Sequence, residues 1–305
     1  MQKQHAKKTA PAAASRPAPA VFRDLLVYQD ETAAAANALA YAAAIAAAAD
    51  GHVAGLMFGL MSPYPATVYM EATPDIWLAA QQGAAEEADA AEKRLKARLA
   101  FSKAAIELRR KDVMASDAGR VLAVHSRYAD ALVLGWSAKG GKKDGTRDGT
   151  ELERDLFRGV LFESGRPVIL VPEAFKAKQP PKRILIAWSP EKEATRAAHD
   201  ALPMLQGAEL VTILAVAEGG GIDGEADAGA DIARHLARHG VNAEVKHVPA
   251  SGRAVQAVIA DEARYLGADL IVMGGYGHSR LSEWVFGGVT RDMMADLKTP
   301  VLMAH

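Results

Sequence analysis

Not one of the 305 residues is cysteine, which removes disulfides, thiolate metal sites and a Cys nucleophile together. A stapled secreted scaffold is excluded, and a cytoplasmic location is the simplest reading. Charge imbalance is missing as well. With 36 basic and 37 acidic residues the net charge is -1, so composition makes no case for nucleic acid or an anionic membrane as partner. Nor is there a long run of Leu, Ile, Val and Phe. The most apolar stretch, AAAANALAYAAAIAAAAD (Ala33 to Asp50), is almost entirely alanine. Alanine forms helices well but seeks lipid weakly, so this reads as a closely packed soluble helix. Residues 1–21 carry Lys, Arg, Pro and Ala but no acid and no signal-peptide core, and read as a disordered tail. Hydrophobic residues at 50% and charged residues at 24% fit an ordinary globular protein, and the length suits two domains.

What is present is a repeat. RDLLVYQDETAAAANALAYAAAIAAAADGHVAGLMFGL, from Arg23, has the rhythm of KRILIAWSPEKEATRAAHDALPMLQGAELVTILAVAE, from Lys182. Both run apolar strand, polar turn, helix, glycine, apolar strand. The endings match too: YADALVLGW resembles LGADLIVMGG, and GRPVILVP resembles KTPVLMAH. The chain is therefore read as a tandem duplication of one α/β domain, covering 22–176 and 177–305, with EAFKAKQPPKR as linker. Continuously apolar strands such as ALVLG and LIVMG, separated by amphipathic helix-length stretches, indicate a parallel sheet covered on both faces. DIWLAAQQGAAEEADAAEKRLKARLAFSKAAIELRRKD reads as one elongated solvated helix. The last strands of the two halves, near Val168–Val171 and Val301–Met303, are expected to lie side by side, because a bare apolar edge aggregates.

ADLIVMG is the fourth strand of the second half, which puts MGGYGHSRLSEWVFGGVTRDMM at the carboxyl end of the sheet, where open α/β sheets bind ligands. Gly274 and Gly277 can admit a ligand close to the backbone or take φ > 0, and Gly287 and Gly288 precede a helix whose free N–H groups suit phosphate. His278 and Arg280 follow at the crevice mouth, where they can complement phosphates or, for Arg280, pair with Glu283. Trp284, Val285 and Phe286 read as packing residues.

The spacing Gly274, two residues, Gly277, nine residues, Gly287, then Gly288-Val289-Thr290, resembles the ATP-binding motif of the universal stress protein family, and the duplication resembles its tandem members. The resemblance implies two tandem Rossmann-like domains of the adenine nucleotide alpha hydrolase-like kind, each a mostly parallel five-stranded sheet with helices on both faces. It implies a regulatory protein of the stress response that binds ATP, with ADP, AMP and accompanying Mg as variants, and whose two domains pair within the chain, a further homodimer being open. The nucleotide would lie on Ala187, Trp188, Ser189, Val216, Gly274, Gly277, His278, Arg280, Gly287, Gly288, Val289 and Thr290. Gly288 stands where the family has Ser or Thr, which removes one hydrogen bond and leaves the backbone N–H. Ser189 stands where the first strand usually ends in Asp. The first half keeps Asp30 but has no glycine signature after Gly135, so one nucleotide per chain is expected. A scaffold with empty sites is the alternative, and a slow ATPase using His278 and Asp292 a third reading.

Other motifs are weaker. Neither VYQDET nor IAWSPE contains G-x-G-x-x-G, and KGGKKDGTR, with Lys142 and Lys143, lacks the G-K-[S/T] ending of a phosphate loop. His235 and His239 are four apart without a third ligand in the sequence pattern, so a solvated helix end is expected. AEGGGIDGEADAGAD lacks the terminal Glu of a calcium loop and reads as a connector.

Overall fold

The computed structural model describes residues 22–61, 74–99, 106–137, 149–176, 179–217, 229–276 and 288–305. The first half contains β1 (Asp24–Tyr28), α1 (Ala33–Ala47), β2 (His52–Met61), α2 (Pro74–Leu99), β3 (Ile106–Met114), α3 (Ala118–Ser126), β4 (Ala131–Trp136), α4 (Gly149–Glu163) and β5 (Val168–Pro172). The second contains β6 (Arg183–Trp188), α5 (Lys192–Asp200), α6 (Leu202–Gly207), β7 (Leu210–Ala217), α7 (Ala230–Arg238), β8 (Ala243–Pro249), α8 (Val255–Leu266), β9 (Leu270–Gly274), α9 (Gly288–Ala295) and β10 (Val301–Ala304).

These strands form one continuous sheet in the order β3-β2-β1-β4-β5-β10-β9-β6-β7-β8. Pairing is parallel within each half, and the halves meet through antiparallel β5 and β10, with Val301 opposite Leu170 and Met303 opposite Val168. The two last strands thus cover each other's edges. The same bonds recur in the two halves. Asp130 accepts from the amides of Arg23 and Asp24 at the start of β1, and Asp269 accepts from those of Lys182 and Arg183 at the start of β6.

Alternation along the strands separates two cores. Leu25, Val27, Val133, Ile184, Ile186 and Val272 face one layer; Leu26, Leu132, Leu134, Leu185, Ile271 and Met303 face the other. Each core takes residues from both halves, so hydrophobic burial runs unbroken through the seam. Alanines 34, 35, 38, 42 and 46 of α1 are buried, which lets that helix lie close on the sheet, and Thr32 caps its start by accepting from Ala35 N.

One expectation is corrected. The long charged segment is not a single helix: α2 ends at Leu99, and IELRRKDVM forms β3, paired along its length with β2. Its side chains alternate between half-buried and exposed from Ile106 to Arg110, a period of two that the dense charges concealed. Those charges suit an edge strand. Among the described residues no helix is long and apolar enough to cross a membrane.

Candidate functional site

In each half the strand order reverses beside its first strand, between β1 and β4 and between β6 and β9, and such a reversal opens a crevice at the carboxyl ends of the strands. In the second half the crevice is a cleft of about 380 Å³, within the roughly 300–1,000 Å³ typical of small-molecule sites. Ala187, Leu214, Val216 and Met273 from the strands and Val255 and Ile259 from α8 make an apolar slot. The start of α9, Gly288 to Thr290, closes one end, and the β6–α5 turn with Ser189 and Glu191 borders another side.

The first amides of α9 have no acceptor within their own helix and carry the positive end of its dipole. Thr290 is buried, and its Oγ1 accepts from Tyr276 N at 3.3 Å, fixing the helix against the loop that leaves β9. Tyr276 itself has φ of 60°, the left-handed region that a residue with a side chain seldom adopts. Its ring packs on Phe162 and Phe157 of α4, with centroids 5.3 and 6.3 Å away, so contacts from the first half support a strained residue in the wall of the second half's cleft.

Of the residues expected at the site, Ala187, Trp188, Ser189, Val216, Gly274, Gly288, Val289 and Thr290 all line this one cleft. Gly277, His278, Arg280 and Gly287 lie outside the described residues, as do Trp284, Val285, Phe286, the KGGKKDGTR loop and the greater part of AEGGGIDGEADAGAD. One of the two reasons expected for Gly274 is corrected. It does not have positive φ, and a Cβ there would meet Ala194 N at 2.6 Å and the Glu193 carbonyl carbon at 2.7 Å. The missing side chain lets the start of α5 touch the end of β9. Gly135 does the same in the first half, where a Cβ would lie 2.4 Å from the Ala34 carbonyl carbon.

Sequence reasoning missed Glu193. It lies in the first turn of α5, is 2% exposed and lines the cleft. Its Oε1 is 3.3 Å from Lys192 Nζ, whereas Oε2 has no hydrogen-bond partner among the described residues. The signal was an acid on the helix face shared with Ala194, Ala197 and Ala198, all buried. The lining residues include Glu191 and Glu193 but, among the described residues, no Lys or Arg.

The equivalent place in the first half is filled. With Asp130 matched to Asp269 and the registers followed along the strands, Tyr28 replaces Ala187 and Phe58 replaces Val216. Both aromatics are buried, and their rings are 5.5 Å apart. Phe157 packs edge-on against Trp136 at 6.0 Å, and the Trp136 indole donates to Met294 O across the seam at 2.8 Å. Glu153 completes the plug: its Oε2 accepts from Ser137 N, and burial pushes its carboxyl up to about 7. Asp30 is engaged in local structure, accepting from Thr32 N and Oγ1.

The other candidates resolve differently. Asp292 accepts from Gln256 Nε2 and Arg291 Nε, so both of its oxygens are occupied beside α8. His235 and His239 are not merely a solvated helix end. His199 of α5 supplies a third imidazole, with ring centroids 4.8 Å from His235, and His235 lies 4.7 Å from His239. The rings of His199 and His235 are stacked, and among the described residues no group of three ligating side chains could hold a metal.

Residues 180–305 match the pattern of the universal stress protein family. A universal stress protein from Archaeoglobus fulgidus DSM 4304 has a similar structure, with TM-score 0.64 and 16% identity over 92% of this chain and 97% of the other. A putative universal stress protein from Pseudomonas aeruginosa UCBPP-PA14 aligns over 92% of each chain at 16% identity, with TM-score 0.46. No curated protein matches the sequence.

Proposed function

Since residues 180–305 form a domain of the universal stress protein family, within a chain whose fold is similar to such a protein throughout, we propose that this is a nucleotide-binding regulatory protein of the stress response. It takes one adenine nucleotide, ATP before ADP or AMP, in the cleft of its second half. The observation that carries this reading is the pairing, in one cleft, of an apolar slot walled by Ala187, Val216, Ile259 and Met273 with the amide end of α9 at Gly288–Thr290. A flat base suits the first and phosphate the second. Mg would accompany the phosphates as part of the ligand. The first half contributes support, because Tyr28 and Phe58 fill its crevice.

The scaffold reading is favoured by one observation: the described lining contains two carboxylates and no cation, a poor field for phosphate unless Mg or the 277–287 segment supplies positive charge. The slow ATPase reading is weakened, because Asp292 is held by Gln256 and Arg291. Calorimetric titration of the whole chain with ATP, ADP and AMP, with and without Mg, tests the proposal. Saturable binding at no more than one nucleotide per chain is expected. No binding at millimolar nucleotide would leave the scaffold, and two equivalent sites would contradict the filled first half.

A further inference from the structure

A buried carboxylate with an unmatched oxygen is costly, because it has given up water without gaining a donor in return. Glu193 is in that position. Lys192 Nζ is 3.3 Å from Oε1, but the lysine side chain is 80% exposed and so is screened by water. His305 Nδ1 is 4.0 Å from the same oxygen, and it makes a 3.0 Å contact with Gly275 O instead. Neither group serves Oε2, which has no hydrogen-bond partner among the described residues. A donor delivered by a ligand would remove the deficit.

The position of Glu193 selects the kind of donor. Its backbone and Cβ press against Gly274. On one side of Gly274 along the chain is Met273, a wall of the apolar slot; on the other is Tyr276, whose amide bonds Thr290 at the start of α9. Glu193 therefore sits beside the stretch that joins the two ends of the cleft. In a nucleotide whose base fills the slot and whose phosphates meet α9, the part that passes this stretch is the sugar. A carboxylate accepts well from a ribose hydroxyl, and acidic side chains do so in other nucleotide-binding α/β folds.

We propose that Glu193 is a specificity-determining residue that accepts a hydrogen bond from a ribose hydroxyl of the bound nucleotide and makes the cleft select ribonucleotides over deoxyribonucleotides. The assignment rests on the nucleotide reading above. It accounts for both the burial of Glu193 and the absence of a partner for Oε2 among the described residues. It also gives a carboxylate a favourable role in a cleft that otherwise has to accept phosphate.

The test is competitive binding of ATP, 2′-deoxy-ATP and 3′-deoxy-ATP to the full chain, measured for the wild type, Glu193→Gln and Glu193→Asp. The wild type should bind ATP at least about tenfold more tightly than one of the two deoxy analogues, as loss of a hydrogen bond to a charged acceptor implies. Glu193→Gln should bring the three ligands to within about threefold of each other. Glu193→Asp, which keeps the charge but shortens the reach, should fall between. Wild-type protein that binds all three equally overturns the assignment and leaves the nucleotide reading standing, an outcome that does not depend on how well either variant folds. So does a folded Glu193→Gln, checked by circular dichroism, that retains the full preference. Wild-type protein that binds none of the three overturns both.

Discussion

A methyl group at Gly274 would lie 2.6 Å from the amide nitrogen of Ala194 and 2.7 Å from the carbonyl carbon of Glu193, both backbone atoms of α5. Backbone cannot swing aside as a side chain can, so Gly274→Ala should cost about 1–3 kcal/mol of stability in denaturant unfolding. Gly275→Ala should cost less, because its nearest neighbour is the Leu161 side chain at 3.1 Å. Equal losses would remove the packing role assigned to Gly274. The glycine was plain in the sequence, but its reason was not, since ligand approach and helix approach both call for a missing Cβ. Glu153 is a second residue-scale case. Its carboxyl is raised to about 7 by burial, so the folded chain holds a proton that the unfolded chain releases near the ordinary carboxylate value. Stability from this group is present below that value and is lost as pH rises toward 7. Glu153→Gln, which cannot ionise, should remove that decline and raise stability at neutral pH by up to about 3 kcal/mol. Chemical denaturation of both proteins at pH 5 and pH 8 would show it; a difference independent of pH would sink the argument.

At the scale of elements, β9 and β10 and the glycine-led start of α9 were legible because doubly buried strands read as unbroken apolar runs. β3 was not. Its Ile106, Leu108 and Arg110 alternate with Glu107 and Arg109, and charge density there suggested the solvated helix that in fact stops at Leu99. The contrast between the two crevices was also hidden, because Tyr28 and Phe58 lie 30 positions apart and meet only once β1 and β2 are set in register. That contrast can be transferred. Ala187→Tyr with Val216→Phe should carry the first half's plug into the second half's cleft, whose free volume can take the rings with limited overpacking. Nucleotide binding should fall at least about a hundredfold, while the circular dichroism spectrum stays that of the wild type. A folded double variant that binds ATP normally would show that the base does not use the slot between these strands.

For the whole molecule the question is whether the two halves behave as two domains. The sequence places the repeat boundary near residue 177, and EAFKAKQPPKR reads as a linker, which invites a picture of two independent bodies. The packing argues otherwise. β5 and β10 pair across the seam, and their residues from Val168 to Val171 and from Val301 to Met303 are completely buried. Each of the two cores draws on both halves. Polar bonds cross as well: Trp136 Nε1 to Met294 O, and Arg196 to Gly165 O at 2.9 Å. Unfolding one half alone would bare an apolar strand edge and cut through both cores, so partial unfolding gives up much of the burial that holds the remaining half. Scanning calorimetry should accordingly give one transition, with a calorimetric enthalpy equal to the van't Hoff value, despite a chain length at which separate domain melting is common. Met303→Asp, which puts a charge at the centre of the seam, should lower that single transition without splitting it. Two resolved transitions in the wild type, one for each half, would mean that the seam holds the halves together less firmly than each core holds itself.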